Sequence, residues 1–188
     1  MTRLALALAL LGAATASTAA PETYVVDGNH TFPSFEVTHL GMSTQRGRFN
    51  RISGTITIDR EAKTGSADIT IDINSIATGV EKLSEHLRKD DFFDAAKYPT
   101  GTFKASQFQF EGEKLVAITG DLTLRGVTKP ATLNVTAFKC GTHPMLYKSM
   151  CGADATTTIR RSEFGIKYGI PALGDDVKLS ISVEAFRE

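Results

Sequence analysis

An all-β fold, an eight-stranded antiparallel barrel with one helical insert, is what the sequence predicts, and three observations predict it. Apolar residues recur at every second position along most of the chain beyond Pro21, the period at which a strand sends side chains to one face. Eight such runs follow one another across short turns, which favours up-and-down antiparallel neighbours. One stretch, residues 79–98, breaks that rhythm and shows helical spacing instead.

Residues 1–20 are a different material from the rest. Arg3 is their only charge, Leu4 to Leu11 is an unbroken Leu/Ala run, and Ala13 to Ala20 holds only Ala, Thr and Ser. Positive, apolar and small-residue zones in that order make a secretory signal peptide, with cleavage expected after Ala20. The apolar part falls short of the roughly 18 to 20 residues that span a bilayer. Residues 21–188 are then expected to be one soluble domain outside the cytoplasm.

Tyr24 to Asp27 reads as a short lead-in strand. The eight runs lie near residues 30–40, 44–60, 64–75, 101–111, 113–125, 130–139, 152–161 and 175–186. In the first, Phe35, Val37 and His39 share a face, and Pro33 suits a strand start, edge or bulge. Ala67, Ile69, Ile71 and Ile73 alternate with Asp68, Thr70 and Asp72. The same alternation gives Val116, Ile118, Leu122 and Leu124, then Leu133, Val135 and Ala137, and finally Val177, Leu179, Ile181 and Val183. Phe49 and Ile52 cannot share a face of a regular strand, nor can Phe103 and Phe108, so a bulge is expected within each pair. Bulges supply the bending that barrel closure needs, and closure removes sticky sheet edges. An open two-sheet sandwich is the alternative.

Within the insert, Val80, Leu83 and Leu87 form one helical face, and Glu81, Lys82, Glu85, Arg88 and Lys89 form the polar one. Asp91-Phe92-Phe93-Asp94 then sets two adjacent aromatics beside an acidic turn, and Tyr98-Pro99 ends the segment. Placed between two barrel strands, it lies across one end, either as a lid or as a plain packing helix.

Most chemistry sought in the sequence is missing. Lys plus Arg number 21 against 21 Asp plus Glu, which leaves no basic excess to neutralise phosphates, so nucleic acid is not an expected partner. Histidines 30, 39, 86 and 143 show no metal-ligand spacing, and neither a metal nor a cofactor is expected. There is no Gly-x-Ser-x-Gly elbow, phosphate-binding loop or dinucleotide fingerprint. Asp90, Asp91 and Asp94 read as a solvated turn in which Asp94 caps Ala95-Ala96-Lys97, not as a catalytic pair. Cys140 and Cys151 bracket a loop containing His143. A Cys/His/Cys metal site would lack a fourth ligand, and in an oxidising compartment a disulfide closing the loop is the simplest outcome.

Longer motifs go further. Tyr24-x-Val26-Asp27-x-x-His30, Phe35-x-Val37-x-His39, Gly47-x-Phe49 and Gly54-x-Ile56 are followed by His86-Leu87-Arg88-Lys89-Asp90-Asp91-Phe92-Phe93-Asp94 and by Tyr98-Pro99. With Gly120-x-Leu122-Thr123-Leu124-x-Gly126-Val127-Thr128-Lys129-Pro130 and Arg161-Ser162-Glu163-Phe164-Gly165, they resemble the YceI-like family over essentially the whole mature chain. The cysteine-bracketed loop is not part of that pattern. The resemblance implies a lipocalin-like barrel in the bacterial periplasm that binds polyisoprenoid or similar long-tailed amphiphiles, a quinone or its precursor among them. Transient membrane contact is expected of a protein that exchanges such a cargo with a bilayer. Eleven Phe and no Trp suit an apolar bore. The residues expected to touch such a ligand are Phe35, Val37, His39, Phe49, Leu83, Leu87, Phe92, Phe93, Phe103, Phe108, Leu122, Leu124 and Phe164. The expected role is non-catalytic binding. The alternatives are an enzyme with His39 at the mouth and an interaction module with a filled core.

Overall fold

The computed structural model describes residues 20–188, so the expected signal peptide, apart from Ala20, lies outside the described residues. The described chain forms β1 (Glu22–Val26), β2 (Phe32–His39), β3 (Ser43–Phe49), β4 (Ile52–Asp59), β5 (Thr64–Asp72) and β6 (Ile76–Ala77). One helix, α1 (Glu81–Leu87), precedes β7 (Thr100–Glu111), β8 (Lys114–Leu124), β9 (Val127–Thr142), β10 (Ser149–Arg160) and β11 (Leu173–Arg187). The order β1-β4-β5-β7-β8-β9-β10-β11 is antiparallel throughout, and β11 pairs back with β1. That last pairing closes an eight-stranded barrel and excludes the open sandwich.

Three neighbouring positions in the barrel are broken at one level. β1 and β2 lie end to end along β11, β1 against Ala185 to Arg187 and β2 against Leu173 to Ser182. β4 and β3 continue beside them, and β5 and β6 beside those. The breaks at residues 27–31, 50–51 and 73–75 form a seam across the wall. Two buried hydroxyls satisfy the backbone there. Ser75 Oγ accepts from the N–H of Asn50 (3.1 Å) and Arg51 (3.0 Å) and donates to the Asp72 carbonyl (2.6 Å). Thr31 Oγ1 accepts from Glu184 N–H (3.1 Å) and donates to the Glu184 carbonyl (3.2 Å). Each buried group left unpaired would cost about 1 to 3 kcal/mol.

The run expected over 44–60 is therefore two strands, parted where the Phe49/Ile52 parity change falls. The lead-in segment is a full barrel member. Phe103 and Phe108 both face the interior because β7 shifts register between Ala105 and Gln107. Two further irregularities escape the alternation. A shift between Gln109 and Phe110 turns Leu115 inward in place of Val116, and a shift between Asp154 and Ala155 puts Phe138 inside while Ala137 is exposed.

The helix occupies only the first part of the expected insert. Beyond Leu87 the chain doubles back: the N–H groups of Phe92 and Asp94 both bond to the Lys89 carbonyl, and those of Phe93 and Ala95 bond to Leu87 and Arg88. Asp94 takes φ +50°, a left-handed conformation that ends any regular helix. It shapes the turn through its carbonyl, which accepts from Lys97 and Tyr98, and not through the carboxylate cap expected.

Candidate functional site

Alternating strands fill the barrel from all sides, so the site is the space their side chains leave. At the end that carries the insert they leave a cavity of about 120 Å³. β2 and β3 supply Phe35, Val37 and Phe49; the insert supplies Leu87, Phe92 and Phe93; β8 supplies Leu122 and Leu124; and Phe164 and Ile166 follow β10. The surface facing this space is carbon throughout. Phe49 sits between Phe35 and Phe93, with ring centroids 6.0 and 5.6 Å away, the second contact edge-to-face.

Arg161 is the one charged residue in that wall, and only its stem meets the cavity. Its guanidinium is buried and donates to three carbonyls: Gly174 (2.8 Å), Ile166 (3.1 Å) and Leu173 (3.0 Å). Burial holds its pKa below the ordinary arginine value, against the pull of the Asp175 carboxylate. Asp175 is itself held below the usual carboxylate range by bonds from the Ser162 hydroxyl and N–H. These contacts fold residues 161–175 into a fixed rim.

The insert is fastened across the same end. Arg125, at the β8–β9 turn, donates from Nη1 to the Phe92 carbonyl (2.6 Å). Buried Ser84 ties α1 to its lead-in by accepting from Thr78 N–H (3.1 Å). The Phe92 ring touches those of His86 and Tyr168, with centroids 5.0 and 5.3 Å apart.

Of the residues the sequence singled out, Phe35, Val37, Phe49, Leu87, Phe92, Phe93, Leu122, Leu124 and Phe164 line this cavity. Four do not. His39 continues the face of Phe35 and Val37 but pairs at the rim with Ser43 and Leu173. Leu83 is half-buried on α1. Phe103 packs in the core, and Phe108 lines a smaller cavity of about 40 Å³ at the opposite end, with Tyr24, Leu115 and Phe138. Unforeseen wall residues include Ile71, Ile159, Val177 and Leu179, all legible from their alternation. Ile166 and Leu173 also line it but have no periodic signal, because Arg161 places them.

Cys140 and Cys151 stand opposite each other on β9 and β10 and form a disulfide (S–S 2.00 Å), which removes the Cys/His/Cys alternative. His143 Nδ1 instead accepts from Met145 and Leu146 N–H at 3.2 and 3.0 Å. Among the described residues, Asp27, His30 and Glu184 bring ligand atoms within 4.8 Å of one another and could hold a metal ion. Asp27 and His30 already satisfy each other at 2.6 Å. No helix among the described residues is long and apolar enough to cross a membrane.

Comparison with known proteins agrees with this geometry. Residues 24–185 match the YceI-like domain. The chain is 37% identical over 196 residues to a UPF0312 protein of Pseudomonas aeruginosa, with 100% of both chains covered. It is 36% identical over 176 residues to Protein YceI of Escherichia coli O157:H7, covering 92% of this chain and 91% of that one. Among solved structures it is similar to BcnA of Burkholderia cenocepacia, with TM-score 0.74 and 26% identity over 85% of this chain and 99% of that one. A polyisoprenoid binding domain from Saccharophagus degradans, implicated in plant cell wall breakdown, shares the fold at TM-score 0.66 and 20% identity over 88% of this chain and 98% of that one. A closed barrel whose matching segment runs from Tyr24 to Ala185 thus belongs to the YceI-like family.

Proposed function

We propose that this protein is a non-catalytic carrier that is exported, loses residues 1–20, and holds the tail of a polyisoprenoid or similar long-chain amphiphile in the periplasm. The observation that carries this reading is the cavity wall, which offers a ligand carbon alone at the end closed by the insert. Such a surface rewards a tail and gives a polar reactant nothing to bond. The polyisoprenoid-binding neighbour supports the ligand class.

Size sharpens the proposal. A cavity of ~150 Å³ in another protein takes one benzene, and this one is about 120 Å³. The preformed space therefore suits about one prenyl unit, and a longer tail must displace side chains, the insert aromatics Phe92 and Phe93 first. Each added five-carbon unit brings roughly 3 to 4 kcal/mol of transfer free energy, reduced by that repacking. Binding measured in detergent-free buffer with a series of prenyl alcohols tests this. Affinity should rise with tail length and then level off; equal affinity for the shortest and longest tails returns the barrel to the filled-core reading.

A further inference from the structure

We infer that the loops around the cavity mouth form a docking rim for the surface of a lipid bilayer; this rests on the lipid-carrier reading above. Single exposed apolar residues need no explanation, but their clustering does. Here the large exposed ones, Val25 apart, gather at the two poles of the barrel. Leu40, Met42, Val80, Tyr168 and Ile170 lie at the insert end, and Met145, Leu146 and Tyr147 lie on the disulfide-braced hairpin tip. Met42 is 88% exposed and Leu40 54%, both on the two-strand tip between β2 and β3.

The insert-end group is continuous with the cavity. Leu40 N–H bonds to the Ala172 carbonyl (2.7 Å), next to the wall residue Leu173. The Tyr168 ring packs on the wall residue Phe92 at 5.3 Å. Charge permits the contact too. Residues 40–45 carry none, and residues 165–172 carry only Lys167, while the insert beside them is mixed, Glu81, Glu85, Asp90 and Asp91 against Lys82, Arg88 and Lys89, so the contact is assigned to these two loops. Lys167 beside Tyr168 suits a membrane interface, with an ammonium among the phosphates and a ring at headgroup depth; the far tip carries the same pairing in Tyr147 and Lys148, so continuity with the cavity is what selects the pole.

Cargo transfer requires such contact. Each methylene that crosses open water lowers the population of the intermediate about fourfold. A long tail therefore exchanges only if the mouth meets the membrane directly. The hairpin tip lies at the far pole and cannot serve the mouth, which makes it the internal control.

The chain contains no tryptophan, so Met42→Trp and Met145→Trp each report one pole. With vesicles of phosphatidylethanolamine and phosphatidylglycerol, Met42→Trp emission should shift to the blue and be quenched by bromine-labelled acyl chains, while Met145→Trp stays unchanged. Replacing Met42 and Ile170 by Ser should weaken vesicle partitioning about tenfold per side chain. Uptake of a prenyl alcohol presented from cyclodextrin, without vesicles, should be unaffected by those replacements. No vesicle response at Met42→Trp, or an equal response at Met145→Trp, overturns the rim. A concentration-dependent blue shift without vesicles assigns the surface to a second copy of the chain and overturns it as well. Insertion of Met42→Trp alongside a failed cyclodextrin uptake leaves the rim standing and refutes the carrier reading instead.

Discussion

The two halves of the barrel share eight strands yet treat their interiors in opposite ways. Below the seam, Tyr24, Phe108, Leu115 and Phe138 close in until about 40 Å³ remains. Above it, Phe35, Phe49 and Phe93 lean on one another and leave about 120 Å³. Aromatic content does not separate the halves; support does. The lower half is walled by paired strands, bulged at Gln109/Phe110 and at Asp154/Ala155, and by the Cys140–Cys151 bridge. The upper half is finished by two irregular segments, the insert and residues 161–172, fastened by Arg125 and Arg161. A cavity persists where side chains hang from tethered loops and cannot all fall inward.

Removing a tether should therefore have the largest effect. Arg161→Met fills a similar volume but takes the donor away from three carbonyls, and a buried carbonyl left unpaired costs about 1 to 3 kcal/mol, so a loss of about 3 kcal/mol or more is expected. Denaturant unfolding should register that loss, and amide exchange should show residues 161–174 opening ahead of the lower barrel. A change below about 1 kcal/mol would mean that the rim is held by something else.

A pair of truncations tests the halves directly. Leu115→Ala should cost about 3 kcal/mol, since Leu115 is 2% exposed and borders only about 40 Å³ of empty space. Leu87→Ala should cost about 1 kcal/mol because its side chain is only half-buried and its truncation gives up less burial of apolar surface. Equal losses in urea unfolding would abolish the distinction drawn between the two interiors.

The same division explains what the sequence could tell. Alternation in β5, β8 and β11 reveals barrel walls because a period of two is imposed by the pleat itself. It misplaces Leu115 and Phe138, since a bulge shifts parity without leaving a mark in composition. Phe92 and Phe93 were legible as adjacent aromatics in a segment with helical spacing. The short length of α1 was not, because it is decided by carbonyls of Leu87, Arg88 and Lys89 that capture later N–H groups. Phe103 and Phe108 have the same residue type and parity as true wall residues, and only depth along the barrel separates them from the cavity.

Opening the disulfide should act on the lower half alone. A bridge closing a loop of about a dozen residues contributes at most roughly 3 kcal/mol by restricting the unfolded chain. The β9–β10 ladder that flanks it survives, so replacing both Cys140 and Cys151 by Ser should lower stability by about 2 kcal/mol. Prenyl affinity should not change. Loss of tail binding together with stability would show that the halves are mechanically coupled, contrary to the comparison.

The smallest effect belongs to the seam that joins them. His30 Nδ1 and Asp27 Oδ2 lie 2.6 Å apart. That bond raises the His30 pKa above its ordinary 6.5, and together with the Asn29 N–H it lowers that of Asp27 below 3.8. The signs follow from linkage. A raised histidine contributes stability that is fully present below 6.5 and lost as pH rises through the folded value. A lowered carboxylate contributes stability present above 3.8 and lost as pH falls through its folded value. Both contributions are complete between 3.8 and 6.5. The imidazole is exposed to solvent, so screening keeps the effect small. The urea midpoint of the natural chain should exceed that of His30→Gln most clearly near about pH 5, and the gap should narrow toward about pH 9. Taking the difference between the two proteins cancels the titrating groups that do not interact with His30, leaving His30 with its partners Asp27 and Glu184. A gap that widens with rising pH would show that neutral His30, not the ion pair, holds the break between β1 and β2.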